Sequence, residues 1–355
     1  MALEIKYDSN QQFQRDAVDS VVELFNGQEM LDQGVTAPGF QEDGTFAGFE
    51  ELVFGNSVSL SAETLRNNLR RVQDREVELD DGTIVPAIAE LQRRPLAAGE
   101  MPLHFSVEME TGTGKTYVYV RTMAELNRKY GFRKFVIVVP SVAIREGVRT
   151  SLDLLRDHIR DLYDGLQYDH YVYDSNALTR IRQFAMASHL QIMVINVAAM
   201  VGDAESRIIH RPTDGLNGYA PIDFLRACRP VLIMDEPQSL DGEKQSAGIE
   251  SLDPLFRVGY SATPPAGAHL VYRLTPVEAY SQRLVKRIGV LSITKDADLN
   301  EAFVEVTKVT PSKTDVTATA TIHKTTKSGT KPTRVTLRKD DDLFDLSGGR
   351  DLYRG

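Results

Sequence analysis

One cysteine, Cys228, and no tryptophan occur in 355 residues. A lone cysteine excludes an internal disulfide and any metal site built from several thiolates. Cys228 follows a predicted helix and reads as a small buried apolar residue. No apolar run approaches the roughly 20 residues that a membrane span requires. The N-terminus, Met-Ala-Leu-Glu-Ile-Lys-Tyr-Asp, lacks the basic-then-apolar build of a secretory leader, so the cytoplasm is the default location. Positive charge is also short: 41 Lys and Arg stand against 50 Asp and Glu, a net charge of −9. That argues against coating of nucleic acid by bulk charge. It leaves room for a local basic track, because screening confines charge effects to about 8–10 Å. With 42% hydrophobic and 26% charged residues, the composition is that of a globular protein with ample core.

What is present is organised around Phe105 to Tyr117, F-S-V-E-M-E-T-G-T-G-K-T-Y. A short apolar run (Phe105, Val107, Met109) predicts a buried strand. It empties into Thr111-Gly112-Thr113-Gly114, then Lys115-Thr116, after which apolar residues recur at helical spacing to about Tyr130. Strand, glycine loop and helix in that order describe a P-loop. Backbone N–H groups close on phosphates, the helix N-terminus adds positive potential, Lys115 reaches the β- and γ-phosphates, and Thr116 takes Mg²⁺. Met109 stands where the general pattern has its first glycine.

Four further apolar runs without alternation predict strands of a parallel sheet covered on both faces: K-F-V-I-V-V-P-S, Q-I-M-V-I-N, P-V-L-I-M-D-E and V-G-Y-S-A-T-P. Helical segments separate them, as in a doubly wound α/β fold, whose ligands collect at the carboxyl ends of the strands. The polar clusters sit at those ends: Pro140-Ser141 with Arg145 following, Asp235-Glu236, and Ser261-Ala262-Thr263. Asp235 is placed to bind Mg²⁺ and Glu236 to orient the attacking water, the parts that phosphoryl transfer needs beside a held γ-phosphate.

Around this centre the chain divides into residues 1–26, 27–104, 105–290 and 291–355. The first part predicts an amphipathic helix carrying Phe13, Ala17, Val21, Leu24 and Phe25 on one face, with Gln14 at its start beside a capping cluster, Tyr7-Asp8-Ser9-Asn10. Gln14 is either a surface glutamine or a reader of an adenine edge. The second part reads as an insertion, with a helix near 60–73 and a tight turn at Asp81-Gly82. Its Arg66, Arg70 and Arg71 read as a solvated face or as a phosphate contact. The last part alternates with period two and predicts a β-rich extension. From Lys308 to Lys339 it holds eight basic residues against one acid, Asp315. That excess suits either a nucleic-acid-facing element or the solubilising face of a small sheet.

M-E-T-G-T-G-K-T, V-V-P-S-V-A-I-R-E-G-V, D-E-P-Q and G-Y-S-A-T-P together resemble motifs I, Ia, II and III of superfamily 2 helicase-type motors. In wording they are most similar to the restriction (Res) subunit of type III restriction–modification enzymes. F-Q-R-D-A-V, V-Y-R-L-T-P-V-E-A-Y-S-Q-R-L-V-K-R-I and D-D-L-F-D-L-S-G-G-R extend the resemblance through almost the whole chain. It implies a RecA-like ATPase domain, ATP and Mg²⁺ as ligand and cofactor, and double-stranded DNA and a methyltransferase (Mod) subunit as partners. By resemblance Gln14 reads adenine; Thr111, Gly112, Thr113, Gly114, Lys115 and Thr116 hold phosphate; and Thr116 and Asp235 hold the metal. Lys115, Asp235 and Glu236 are the catalytic set. Gln238, Ser261 and Thr263 couple nucleotide state to DNA, and Pro140, Ser141 and Arg145 touch its backbone.

A motor of this class also uses a second RecA-like domain with arginines that reach the γ-phosphate, and the restriction subunit a separate nuclease. No motif for either follows Thr263. The expectation is therefore the N-terminal portion of a longer subunit, binding ATP–Mg²⁺, turning over slowly and cutting nothing. Two alternatives stay open: a DNA-dependent ATPase of another defence or repair system, and a nucleotide-dependent interaction module without turnover.

Overall fold

Strands rich in Val, Ile and Phe on both faces must be covered on both faces, and that requirement shapes the larger part of the molecule. The computed structural model describes residues 7–31, 53–78, 82–97, 99–202, 207–240, 242–265, 267–286, 302–311, 316–327 and 329–354. In chain order the elements are α1 (Gln12–Val22), α2 (Ala62–Gln73), β1 (Glu76–Glu78), β2 (Ile84–Pro86), β3 (His104–Met109), α3 (Lys115–Tyr130) and β4 (Lys134–Val139). Then come α4 (Val142–Leu162), β5 (Tyr168–Val172), α5 (Thr179–Met186), β6 (Leu190–Asn196), α6 (Pro221–Ala227) and β7 (Val231–Asp235). After these follow α7 (Glu243–Glu250), β8 (Phe256–Ser261), β9 (His269–Leu274), α8 (Pro276–Ser281), β10 (Val304–Pro311), β11 (Val316–Thr326), β12 (Gly329–Leu337) and α9 (Leu343–Leu346). The chain forms two units, Met1–Arg287 and Ile288–Gly355.

In the first unit a seven-stranded sheet runs in the order β5-β6-β4-β7-β8-β3-β9. Every neighbouring pair is parallel. Alternate residues sort to two cores. Phe135, Ile137 and Val139 of β4 and Val231 and Ile233 of β7 pack with α1, α3 and α4. Val136, Val138, Leu232 and Met234 pack on the other face with α5 and α6. This is a RecA-like α/β fold, as the resemblance implied. The five predicted strands are β3, β4, β6, β7 and β8. The sheet has two more, β5 and β9, and both are its edges. An edge strand meets solvent along one side, so Tyr-Asp-His-Tyr-Val and His-Leu-Val-Tyr-Arg-Leu mix polar with apolar residues and give no continuous run.

Helix starts are built from local polar groups. Ser61 and Ser141 accept from Thr64 N and Ile144 N to cap α2 and α4. Thr275 and Glu278 form a reciprocal capping box at α8. The cap expected at α1 is different: its first residue follows Gln11, which has no side-chain capping bond. Asp8 is used instead within the preceding turn, accepting from Asn10 N at 2.9 Å and Gln11 Nε2 at 2.9 Å.

Residues 53–97 are knitted into the same unit. Asn68 Nδ2 donates to Leu24 O and Asn26 O, both at 2.9 Å, and Gln73 Nε2 to Leu270 O at 2.8 Å. Buried Asn56 ties four backbone groups. Its Nδ2 donates to Lys134 O at 2.8 Å and Arg229 O at 3.2 Å, and its Oδ1 accepts from Arg133 N at 2.8 Å and Lys134 N at 3.2 Å. Glu76–Glu78 and Ile84–Pro86 pair antiparallel as β1 and β2; Asp81 of the expected turn lies outside the described residues. Lys134, fully buried, donates to Phe184 O and Ala187 O at the end of α5, where the carbonyls of a helix terminus favour a cation.

The second unit is an antiparallel sheet, β10-β11-β12. It fits the alternation of the sequence there. Tyr353 holds its start: Oη donates to Phe303 O at 2.7 Å and accepts from His323 N at 2.9 Å.

Because Asn56→Ala strands three backbone groups at the head of β4 and one just before β7, it should lower unfolding free energy by about 2–4 kcal/mol. Urea denaturation measures this, and a loss under about 0.5 kcal/mol would show those groups re-pair without Asn56.

Candidate nucleotide site

The carboxyl ends of β3, β7 and β8 lie side by side at the sheet's centre, and each delivers one polar cluster. Gly112 and Gly114 adopt φ of +86° and +90°, the left-handed region where a side chain is strained. Gly114 has a second reason to be glycine: a Cβ there would lie 2.8 Å from Gln14 Nε2. Thr113 turns the loop back, its N and Oγ1 donating to Glu110 O at 3.3 and 2.6 Å. Met109, where a first glycine was expected, ends β3 with its side chain buried in the core. Its carbonyl accepts from Lys115 Nζ at 3.4 Å.

Lys115 Nζ also lies 2.9 Å from Glu236 Oε1. Glu236 sits at φ +52°, an uncommon conformation for a glutamate, held by Glu236 N donating to Tyr260 O at 3.0 Å. Gln238 Nε2 donates to Glu236 Oε2 at 2.8 Å, and Ser261 Oγ donates toward Gln238 Oε1 at 2.7 Å and Glu236 Oε2 at 3.2 Å. Thr263 N in turn donates to Ser261 Oγ at 2.9 Å. One hydrogen-bonded chain therefore runs Lys115–Glu236–Gln238–Ser261–Thr263. Gly259 makes room for it, since a Cβ there would lie 3.0 Å from Pro237 Cγ.

Two neighbouring carboxylates have opposite electrostatics. Burial first, then the Glu236 charge, push the Asp235 carboxyl up to about 6, against the pull of Lys115. Burial works to raise Glu236 as well, but hydrogen bonds from Gln238 and Lys115, the Lys115 charge and the Ser261 hydroxyl outweigh it and hold that carboxyl below its usual range. A buried carboxylate short of positive charge beside a glycine cradle suits a Mg²⁺–phosphate pair. Among the described residues no cluster of three or more His, Cys, Asp or Glu gathers for a metal. Mg²⁺ commonly takes one or two protein oxygens and completes its shell with water and phosphate, and the buried Asp235 carboxylate offers one such oxygen.

Gln14 is buried, 9% exposed, and its Nε2 donates to Thr113 O at 3.0 Å. Its amide is bound to the glycine loop and not displayed on the helix surface. Beside it a cleft of about 440 Å³ is lined by Tyr7, Phe13, Gln14, Gly112 and Tyr117, with Arg283 at one side. Tyr7 stacks on Tyr117 with ring centroids 5.6 Å apart and planes 6° from parallel. Tyr117 Oη is 2.8 Å from His158 Nε2, and Arg121 ties the segment down by donating to Ser9 O at 2.9 Å. Tyr117, Arg121, His158 and Arg283 were not among the expected site residues. Tyr117 directly follows the G-K-T and was findable; His158, near the far end of α4, carries no local signal. A larger groove of about 720 Å³ between α1, the hairpin and β9 shares Phe13 with the cleft but none of the P-loop.

The expected DNA contacts sit apart from this chain of bonds. Ser141 Oγ caps α4, accepting from Ile144 N at 3.3 Å, and Arg145 pairs with Glu146 at 3.0 Å.

Fold and motifs together define a helicase-like P-loop domain. The family described as "Type III restriction enzyme, res subunit" matches residues 55–266. The EcoPI Res subunit of Escherichia phage P1 is 30% identical over 301 residues, 79% of this chain and 28% of that protein. The EcoP15I Res subunit of Escherichia coli is 36% identical over 203 residues, 51% of this chain and 21% of that protein. The chain belongs to the type III Res-subunit family and spans roughly a quarter of the length of these relatives. Solved structures with partial likeness include a nuclease-deletion mutant of the Type ISP restriction-modification enzyme LlaGI with a DNA substrate mimic. Its TM-score is 0.37 at 12% identity, over 51% of this chain and 19% of that one. The UvsW helicase of bacteriophage T4 has a TM-score of 0.30 at 13% identity, over 57% of this chain and 62% of that one. Likeness at this level adds nothing about activity. No helix among the described residues is long and apolar enough to cross a membrane.

A carboxyl raised from its ordinary value to about 6 destabilises the fold when ionised. The penalty is absent below about pH 4, builds through the interval to pH 6 and is full above it. Asp235→Asn should therefore raise nucleotide-free stability at pH 8 by on the order of 2–3 kcal/mol, the gain fading toward pH 4. Denaturant titrations across pH check this; a gain independent of pH would contradict it.

Proposed function

We propose that this chain is the ATP-binding and hydrolysing motor part of a type III restriction endonuclease subunit, using ATP to translocate or switch on double-stranded DNA in the cytoplasm. The observation that carries the reading is the bonded chain from Lys115 through Glu236 and Gln238 to Ser261. It joins the phosphate-binding lysine to the segment that follows β8. In this reading the P-loop amides and Lys115 cradle the phosphates, and Thr116 and Asp235 hold Mg²⁺. The metal neutralises charge on the phosphate oxygens when bound.

Glu236 is kept ionised by its neighbours, the state in which a carboxylate can accept a hydrogen bond from water and aim it. Lys115 is paired with Glu236 at 2.9 Å, so an arriving γ-phosphate competes with that carboxylate for the ammonium. Glu236 then rests on Gln238 and Ser261, and the change at the phosphate is felt at Thr263. Gln14, Tyr7 and the cleft beside them would read the adenine. Pro140, Ser141 and Arg145 are proposed for the DNA backbone, and a Mod subunit, a second RecA-like domain and a nuclease as the partners of the full-length subunit. Arginines reaching the γ-phosphate from a second domain are worth ~10³–10⁵ in rate in related NTPases, so turnover should be slow wherever they are not supplied.

ATP hydrolysis measured with and without duplex DNA tests this. Slow turnover should fall at least ~100-fold in Glu236→Gln while ATP binding persists. Turnover unaffected by Glu236→Gln would overturn the assignment. For the base, Gln14→Ala should raise KM for ATP by about 10-fold and erase any preference for ATP over GTP, the loss of one or two specific hydrogen bonds. Unchanged discrimination would remove Gln14 from base recognition.

A further inference from the structure

Nothing in the proposed reaction uses Arg283, although it lines the cleft beside Gln14 together with Tyr7, Gly112 and Gly114. Its backbone is unusual. α8 ends in a Schellman turn, in which Arg283 N donates to Tyr280 O and Leu284 N to Ala279 O, both at 2.9 Å. Arg283 occupies the residue after the cap at φ +60°, where glycine is the common choice and a side chain is strained. Its side chain is exposed and pairs with no carboxylate among the described residues. Asp8, the acid that lines the same cleft, is taken up within its own turn by Asn10 N and Gln11 Nε2. Backbone strain gathers where function requires a side chain to be held in place. Here the strained residue is an unneutralised cation facing the glycine loop's own cleft.

We propose that Arg283 binds the α-phosphate of the nucleotide, an inference that rests on the ATP reading above. In that reading the two ends of the ligand are already served, the base edge by Gln14 and the β- and γ-phosphates by Lys115. Those ends lie close together: Gln14 Nε2 donates to Thr113 O at 3.0 Å, and a Cβ on Gly114 would lie 2.8 Å from it. A nucleotide held at both ends bends over Gly112–Gly114, which sets its ribose and α-phosphate in the cleft that those glycines line. The α-phosphate is negatively charged, and among the described residues lining the cleft Arg283 is the cation. A guanidinium is permanently charged and presents a fork of donors that matches phosphate oxygens. The turn also keeps the helix end from opposing the anion. Its bonds occupy the carbonyls of Ala279 and Tyr280, and Gln282 N takes that of Glu278 at 3.0 Å, so the negative terminus of α8 is satisfied within the turn.

Titration of the whole chain with ADP, AMP and adenosine, followed by ligand-observed NMR, tests this. Arg283→Gly suits the backbone at this position, so the variant should melt no lower than the unaltered chain. It should bind ADP and AMP about 10–100-fold more weakly, the loss of a charge-assisted hydrogen bond, and adenosine as before. Arg283→Asn, which also tolerates the left-handed region, should match it, and Arg283→Lys should bind AMP more tightly than either neutral variant. A purely structural role would not separate AMP from adenosine or respond to restored charge. Unchanged affinity for ADP and AMP in Arg283→Gly would overturn the proposal while leaving the ATP reading intact. Equal losses for AMP and adenosine would overturn it as well, and make Arg283 a neighbour of the base. An unaltered chain that binds neither ATP nor ADP would overturn the ATP reading and this contact together.

Discussion

The contact on which the site depends is the pairing of Lys115 with Glu236, 2.9 Å apart. Both side chains serve the same phosphate in the proposed reaction, and here each satisfies the other. A partly buried ammonium and a partly buried carboxylate are costly to leave unpaired; in the proposed reaction the pair holds until a phosphate supplies a better anion for Lys115. The same carboxylate is held at its second oxygen by Gln238 and Ser261. Release of Lys115 therefore need not release Glu236. In the proposed reaction that asymmetry lets the site report which partner the lysine has.

The parallel sheet creates this geometry. Because all seven strands run one way, their carboxyl ends face one direction. β3, β8 and β7 are consecutive neighbours, so the glycine loop, the Asp-Glu pair and the Ser-Ala-Thr segment meet though they are far apart in sequence. Small residues at close approaches complete the fit. Gly114 admits Gln14, and Gly259 admits Pro237 beneath the strained Glu236.

Much of this was legible in the sequence, for identifiable reasons. Central strands are buried on both faces and read as unbroken apolar runs, so β3, β4, β6, β7 and β8 were visible. The edges β5 and β9 were not, because half their surroundings are solvent or helix and their composition is mixed. The glycine loop, Asp235-Glu236 and Ser261 were singled out because phosphate chemistry calls for such residues at strand ends, and the fold brings Lys115, Glu236 and Ser261 together. Gln14 could not be decided locally: its burial depends on Thr113, 99 residues away. His158, Arg283 and the Asn56 staple escaped for the same reason. Each is defined by a partner distant in sequence, and nothing in its own neighbourhood requires it. The second unit's alternation was plain, while its cation placement emerged only from the register, which set Lys324 against Lys331.

The central claim is that a bound nucleotide takes Lys115 away from Glu236. A crystal structure of this chain with Mg²⁺ and a non-hydrolysable ATP analogue measures it directly. The account predicts Lys115 Nζ on the phosphates, more than about 4 Å from Glu236, beyond salt-bridge reach, with Glu236 still held by Gln238 and Ser261. Phosphates bound while Lys115 and Glu236 remain paired at 2.9 Å would contradict it.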